Sequence, residues 1–517
     1  MSPDESVDGM FQRFGPRYRW LVTFTALLGA MTMVLSATIA NVAVPHVMGA
    51  YGIGQDQAQW MATSFIATMT ISQLMFAWVV ETFGHRNSFL IALGIYLVGT
   101  FIGGFAPNFD LIVVGRIIQG FASGLIQPLV MVTIFNVFPS NNRSWAMSIY
   151  GMGVVIAPNM GPYVGGLAID LFSWRYIFFM PLPLIVTALV LGSVFMPQEK
   201  RTGPLPRLDW VGVILVGITI TLFLSVLANG HRWGWVSDQT LTYTAVAVGT
   251  AVVFVMTQLD KEEPLMNFGL FKIPAFSSAL VVAFVFGVGN FSITYIIPVF
   301  LQTVQGYTAT RAGLLVLPTG LALVTVLYFT GRYIPETVQA RYPVIIGLLM
   351  FALSAGLMTT ADVNSSFVML MFYAVIGRCG LGFILPFLSA AALKALPPEK
   401  LNQGAGTLNF TRQIGGAFGI NALVVIISYR TQFHSEAMTA TQTADNAATR
   451  ELLDQVTRKL QETGLPESQL LPGALEYLDK IIYAQANTYG FQDGITFITA
   501  VFVFAVIPAW ILKQKRV

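Results

Sequence analysis

Three arginines, Arg116, Arg378 and Arg412, lie inside long apolar runs of the chain, and no aspartate or glutamate falls in the middle of any of those runs. A guanidinium carries five N–H donors and a permanent charge. In an apolar surrounding it has to meet carbonyls and amides, or a polar or anionic ligand. Arg116, Gln119, Ser123 and Gln127 follow at i, i+3, i+7 and i+11, one stripe along a helix. Such a stripe faces either a hydrogen-bonded bundle interior or a water-filled cavity. Asn290, Thr294 and Tyr295 ahead of Pro298, and Asn409, Arg412 and Gln413 ahead of Gly415 and Gly416, form two further polar sets. With Ser36 and Asn41, these residues and Arg378 are the candidates to line a cavity for a small molecule.

The same inventory excludes other chemistry. One cysteine, Cys379, rules out an intramolecular disulfide and thiolate metal clusters. The histidines, His46, His85, His231 and His434, fall at or beyond the ends of apolar runs. No run holds a nucleophile–base pair or a metal-binding cluster, so neither an enzyme nor a cofactor or metal is expected. The net charge of +3 is small and scattered, and gives no reason to expect nucleic acid as a partner.

The elements that position these residues follow from composition. Of 517 residues, 55% are hydrophobic and 10% charged, with a mean hydropathy of +0.68. Soluble domains carry about 25% charged residues, so a bilayer must solvate much of this chain. Runs long enough to cross a ~30 Å core occur near 20–45, 58–80, 87–105, 110–136, 144–168, 176–196, 209–228, 239–258, 276–303, 311–331, 343–361, 366–393, 404–428 and 490–512. The expectation is an all-α integral membrane protein with fourteen spans, the first an uncleaved anchor. One set of short loops carries most of the 28 lysines and arginines, while the opposite set holds Arg175, Arg232 and Arg311. The excess of positive charge predicts cytoplasmic termini. It also puts the one sizeable aqueous segment, 431–489, outside. There Leu452, Val456 and Leu460 predict one amphipathic helix closed at Thr463, and Leu475, Leu478 and Ile482 a second.

The chain also echoes itself at an offset of 258 residues. Gly124, Ile126 and Pro128 match Gly382, Ile384 and Pro386; Pro139 matches Pro397, and Gly161 matches Gly419. Span 4 thus pairs with span 12, which suggests two similar bundles in one orientation with spans 7 and 8 inserted. The resulting division is 1–19 as an N-terminal segment, 20–196 and 259–517 as six-helix bundles, and 197–258 as the inserted pair.

Several strings then resemble one family. "APNMGPYVGG" in span 5 (Ala157 to Gly166) resembles the antiporter motif of major facilitator drug exporters, with Ala157 where Gly is common. Its Gly161, Pro162, Gly165 and Gly166 are read as packing or gating positions, where small residues let helices approach closely. "RIIQG" resembles the fourth-span motif. "AWVVETFGHRN" resembles a worn gating motif that keeps Gly84 and Arg86, with Glu81 in place of Asp; "GRYIPETVQAR" is a still more eroded second copy. "TIANVAVP", "LDWVG", "FLQTVQGYTATRAGLLVLP", "WRYIFFMPLP" and "LNFTRQIGGAFG" are similar to the fourteen-span drug:proton antiporters of the EmrB type.

That resemblance implies the major facilitator fold in a bacterial inner membrane, export of amphipathic small molecules (multidrug efflux) and proton antiport. The external segment is read as a cap over the transporter; docking of a periplasmic adaptor and an outer-membrane channel, which the resemblance implies as partners, is the alternative. One departure stands out: Ser36 occupies the place of the usual aspartate, the plausible proton carrier. Asp110, which opens the helix bearing Arg116, and Glu81, at the gating loop, are the alternative coupling candidates. A dedicated exporter of one metabolite, such as a siderophore or fatty acid, and a non-transporting receptor or scaffold are the rival readings.

Overall fold

The computed structural model describes residues 5–58, 60–198, 206–443 and 445–512. The side chains of Asn41, Pro162 and Asp170 lie outside the described set. The helices are α1 (Val7–Phe14), α2 (Tyr18–Tyr51), α3 (Trp60–Gly104), α4 (Phe109–Val137), α5 (Arg143–Leu171), α6 (Leu182–Phe195), α7 (Trp210–Trp233) and α8 (Asp238–Leu259). They continue as α9 (Pro274–Thr303), α10 (Ala309–Tyr333), α11 (Arg341–Met358), α12 (Phe367–Lys394), α13 (Leu401–Thr439), α14 (Ala447–Glu462) and α15 (Glu467–Phe504). Among the described residues twelve helical stretches are long and apolar enough to cross a membrane. One of them, α3, has two arms that meet at Gly84, and α10 packs beside α5 and α12, an arrangement compatible with fourteen crossings.

Local chemistry sets many of the ends. Asn108, Ser237, Thr308 and Ser366 each precede a helix and accept a hydrogen bond from a first-turn N–H, the stabilising N-cap arrangement. Gly84 has φ +77°, a conformation that side chains with a Cβ rarely adopt. Pro128 lies inside α4 and Pro386 inside α12, the positions that match in the 258-residue repeat.

Helix–helix packing follows the glycines. A Cβ added at Gly120 would lie 2.3 Å from Phe65 O, and one at Gly124 would lie 2.1 Å from Met69 O, so α4 rests on the backbone of α3. In the second half, a Cβ at Gly287 of α9 would lie 2.1 Å from Arg412 O, and one at Gly415 of α13 would lie 2.2 Å from Phe284 O. Membrane helices gain association energy from such close approach, because lipid is as apolar as leucine.

The pair α7–α8 stands over a seam. Val216, Ile220 and Leu224 of α7 and Phe254 of α8 form one apolar cluster with Ala67 and Leu74 of α3 and Phe410 of α13. The base of the pair is fixed by Asp209, whose side chain is 4% exposed. Asp209 accepts from Gly212 N at 2.8 Å, from Gln258 Nε2 at 2.5 Å and from Lys261 Nζ. Burial pushes this carboxyl up, but the donors from Lys261, Gln258 and Gly212 outweigh it and hold it below its ordinary value. A depressed carboxyl adds stability above its unfolded value, and that stability is lost as pH falls through the folded value. Asp209→Asn is therefore expected to lower the melting temperature of the purified protein at pH 7 by about 2–4 °C. The gap between variant and parent should narrow as the pH of the melt is lowered and the parent's carboxyl takes up its proton; a gap that does not change with pH would refute this role.

Candidate substrate cavity and gate

The polar stripe of α4 is turned inward. Arg116 is 1% exposed; its Nε donates to Met61 O at 3.1 Å, its Nη1 to Gln119 Oε1 at 3.0 Å, and its guanidinium lies 4.0 Å from the Phe65 ring centre. Gln119 Nε2 donates to Thr100 Oγ1 at 3.0 Å, Ser123 Oγ to Gln119 O at 2.8 Å, and Gln127 Nε2 reaches Met69 Sδ at 3.8 Å. Ser36 of α2 is also buried, at 3% exposure. Carbonyls, amides and an aromatic face therefore satisfy this arginine without a carboxylate, binding both arms of α3 to α4.

The second half is more open. Arg378 of α12 donates to Asn290 Oδ1 at 2.9 Å and Thr294 Oγ1 at 2.7 Å, both on α9. Thr294 and Tyr295 are exposed midway along that helix. Arg412 of α13 donates to Asn409 Oδ1 and to Tyr150 Oη of α5 at 3.5 Å. Asn409, buried, reaches Met131 Sδ of α4 at 3.4 Å. Arg378 thus joins α12 to α9, while Arg412 and Asn409 join α13 to the first half.

Below Arg412, toward the face rich in lysine and arginine, the halves close. Glu336, in the loop after α10, accepts from Ser144 N at the start of α5 and from Lys394 Nζ at the end of α12. Arg143 lies close enough to add its charge to the same carboxylate and stacks 4.2 Å from the Phe135 ring. Trp145 meets Tyr328 edge-on at 5.5 Å, and Cβ atoms added at Gly151, Gly331 and Gly406 would strike Leu385, Ser148 and Gln73 O across the halves. These contacts all lie toward the basic face.

The gating loop is anchored within its own half. Gln198, just after α6, donates to Phe83 O at 3.0 Å and accepts from Arg86 N at 3.2 Å. Arg86 also donates to Met196 O at 2.7 Å and pairs with Glu5 at 2.9 Å. Glu81 has an interaction of its own. Asp110 is elsewhere: it is exposed on the opposite face, beside a cavity of about 640 Å³ lined by Tyr51, Trp60, Asn108 and Phe109. In the span-5 motif, a Cβ at Gly161 would lie 1.9 Å from Thr38 Oγ1, one at Gly165 would lie 3.2 Å from Ile39 Cγ2, and one at Gly166 would meet nothing within 4 Å.

Two charged clusters escaped sequence reasoning. Glu336 joins residues far apart in sequence, and only its place in the "GRYIPETVQAR" loop pointed to it. Asp493 of α15 binds Arg430 Nε at 2.5 Å and His434 Nε2 at 2.8 Å, both on the outer end of α13. The i, i+4 spacing of Arg430 and His434 was its available signal.

Comparison with known proteins agrees with this architecture. The chain is 28% identical over 430 residues to the multidrug export protein EmrB of Escherichia coli (strain K12), covering 81% of this chain and 82% of that one. It is 27% identical over 405 residues to the lincomycin resistance protein LmrB of Listeria innocua, covering 78% and 85%. The solved structure of the proton:xylose symporter XylE superimposes with a TM-score of 0.62 over 96% of each chain at 13% identity, a likeness of fold. The model of the Major Facilitator Superfamily matches residues 26–420. With its all-helical architecture and membrane-spanning helices, the chain belongs to the major facilitator superfamily of multi-pass membrane transporters.

Proposed function

We propose that the protein exports amphipathic small molecules by alternating access, with residues 20–196 and 259–517 as the two moving bundles and the basic face in the cytoplasm. The observation that carries this reading is the layer of polar residues around Arg412 between the halves, with the Glu336 contacts tying the halves together on its basic side. That is the arrangement of a transporter ready to release its load outward. The names of the relatives, a multidrug exporter and an antibiotic resistance protein, favour the same direction. The outer hairpin we read as a cap over the exit. A periplasmic adaptor and an outer-membrane channel, as the resemblance implies, would be its partners if it docks instead.

Proton antiport is proposed to run through a helix-end carboxylate, because Ser36 cannot change its proton occupancy at accessible pH. Asp110 has direct access to water on the exit side, and Glu81 lies at the closed end. Efflux of a substrate panel from proteoliposomes, with and without an imposed pH gradient, tests the function. Parent efflux should rise with the gradient, and Asp110→Asn or Glu81→Gln should lose most of that rise. Full gradient response in both variants would reject these carriers. A gradient response appearing only in Ser36→Asp would show a parent that exports without protons, and no efflux at all would leave a non-transporting scaffold.

A further inference from the structure

The charge of the cavity narrows the substrate class, and the inference rests on the exporter reading above. Arg378 is 7% exposed, and its acceptors, Asn290 Oδ1 and Thr294 Oγ1, are neutral. Arg412 is only partly buried, and its acceptors, Asn409 Oδ1 and Tyr150 Oη, are neutral too. The two sites are neighbours. Gly287 of α9 packs on the backbone of Arg412, and Asn290, which holds Arg378, is about one helical turn further along the same helix.

Among the described residues no ion pair involves Arg116, Arg378 or Arg412. The carboxylates of Asp209 at the start of α7, Glu336 in the loop after α10 and Asp493 within α15 each have their own cation. Neutral acceptors satisfy a guanidinium's hydrogen bonds but leave its charge uncompensated, and a low-dielectric site magnifies that field. A cationic solute entering here would meet like charge with no carboxylate to hold it.

We propose that the cavity is built for organic anions: the acid group of an amphipathic substrate docks against Arg378 and Arg412, and its apolar body lies along the exposed face of α9 at Thr294 and Tyr295. Arg412 then does two jobs in turn. It bridges to Tyr150 when the cavity is empty, and it turns to the acid group when the substrate is bound. Each molecule exported carries negative charge outward, so an inside-negative potential of 100 mV favours release by about 50-fold, in addition to whatever a proton contributes.

A matched series isolates the charge: 1-anilinonaphthalene-8-sulfonate, its uncharged parent N-phenyl-1-naphthylamine, and a trimethylammonium derivative of the same rings. Binding to the purified protein and efflux from proteoliposomes are measured for all three. The sulfonate is expected to bind best. Arg378→Gln and Arg412→Gln should each weaken it by about 10- to 100-fold, the value of a lost charge-assisted contact, while the uncharged parent changes little. Arg378→Lys, which keeps the charge, should retain the preference for the anion even if affinity falls. Imposing an inside-positive potential with potassium and valinomycin should slow sulfonate efflux and leave the neutral compound unaffected.

The proposal is overturned if the trimethylammonium compound binds as tightly as the sulfonate, if none of the three binds, or if both glutamine variants keep the parent's preference. Arginine-dependent binding of the sulfonate without efflux of any of the three would uphold the anion site and reject the exporter reading.

Discussion

Gly161→Leu is expected to abolish transport while the protein still inserts and accumulates in the membrane. A single added Cβ at this position would lie 1.9 Å from Thr38 Oγ1 and 2.8 Å from Thr38 Cβ, with Ile39 N 3.3 Å away. Thr38 has little freedom to move aside, since its hydroxyl is hydrogen-bonded to Leu35 O at 2.9 Å. A leucine therefore has to push α5 away from α2, and overpacking a dense interface costs about 1–3 kcal/mol or more. Insertion depends on apolarity, which the change increases. Gly161→Ala should already impair efflux, since the clash begins at Cβ. Gly166→Leu provides the control, because a Cβ there meets nothing within 4 Å. The comparison is efflux per molecule of folded protein, with folding checked by size-exclusion chromatography. Normal efflux by well-expressed Gly161→Leu would show that α2 and α5 need not stay in contact during the cycle.

Removal of the Glu336 carboxylate should produce the other large effect. The side chain is 16% exposed, and it binds Lys394 of its own half and the Ser144 N–H of the other. Glu336→Ala leaves these donors, and the nearby Arg143, without their acceptor in a partly dehydrated interface. Breaking one partner out of such a group costs about 2–4 kcal/mol. Because the Ser144 and Arg143 contacts cross between the halves, whereas the Lys394 pair lies within one, their loss falls on the state closed at the basic side. The ratio of closed to open molecules on that side should drop by about 30- to 1,000-fold. Leu327→Cys in a Cys379→Ser background reads this directly, since Leu327 is buried between the halves beside Gly151. An impermeant maleimide applied to the basic face of membrane vesicles should label it at least about tenfold faster once Glu336 is replaced. Equal labelling rates would mean that the packing of Trp145, Tyr328 and Leu385 holds the closed state alone.

The sequence made some of this legible for clear physical reasons. A bilayer imposes long apolar runs, so the existence of the helices could be read directly, while the facilitator fold was implied by the resemblance of the motifs. Helix ends were less legible, because a helix need not stop where the lipid does. The run expected at 404–428 belongs to α13, which extends to Thr439. The amphipathic pattern of Leu475, Leu478 and Ile482 is not a separate helix but the outer part of α15, continuous with the last span. The helix read from Leu452, Val456 and Leu460 lies within α14, which ends at the expected Thr463. Spans 2 and 3 form one helical stretch with a single break at Gly84.

The arginines were conspicuous because a charge in an apolar run is rare, but what they meet was invisible. Met61 O, the Phe65 ring and Tyr150 Oη leave no pattern, since backbone carbonyls are everywhere and aromatics occur throughout the chain. Glu336 and Ser144 are 192 residues apart, and nothing local marks either as a partner. The loop resembling the gating motif was better marked: of the two residues that keep the motif, Gly84 lies against Gln198 and Arg86 is bonded to Gln198 and Met196 O.

The continuity of α15 has a mechanical consequence. From Glu467 to Gly490, where the helix presses against Thr431, the outer part is a rod about 35 Å long at 1.5 Å per residue. Its base is gripped by Asp493 with Arg430 and His434, and α14 stiffens its side. A rod fixed at one end to a moving body is a pointer. Each degree by which the second bundle tilts sweeps its tip through about 0.6 Å, so a tilt too small to see in the core becomes several ångströms in the surrounding water. On the proposed rocking mechanism the hairpin would report the state of the bundles at a distance, and a fluorophore at its tip would register the tilt.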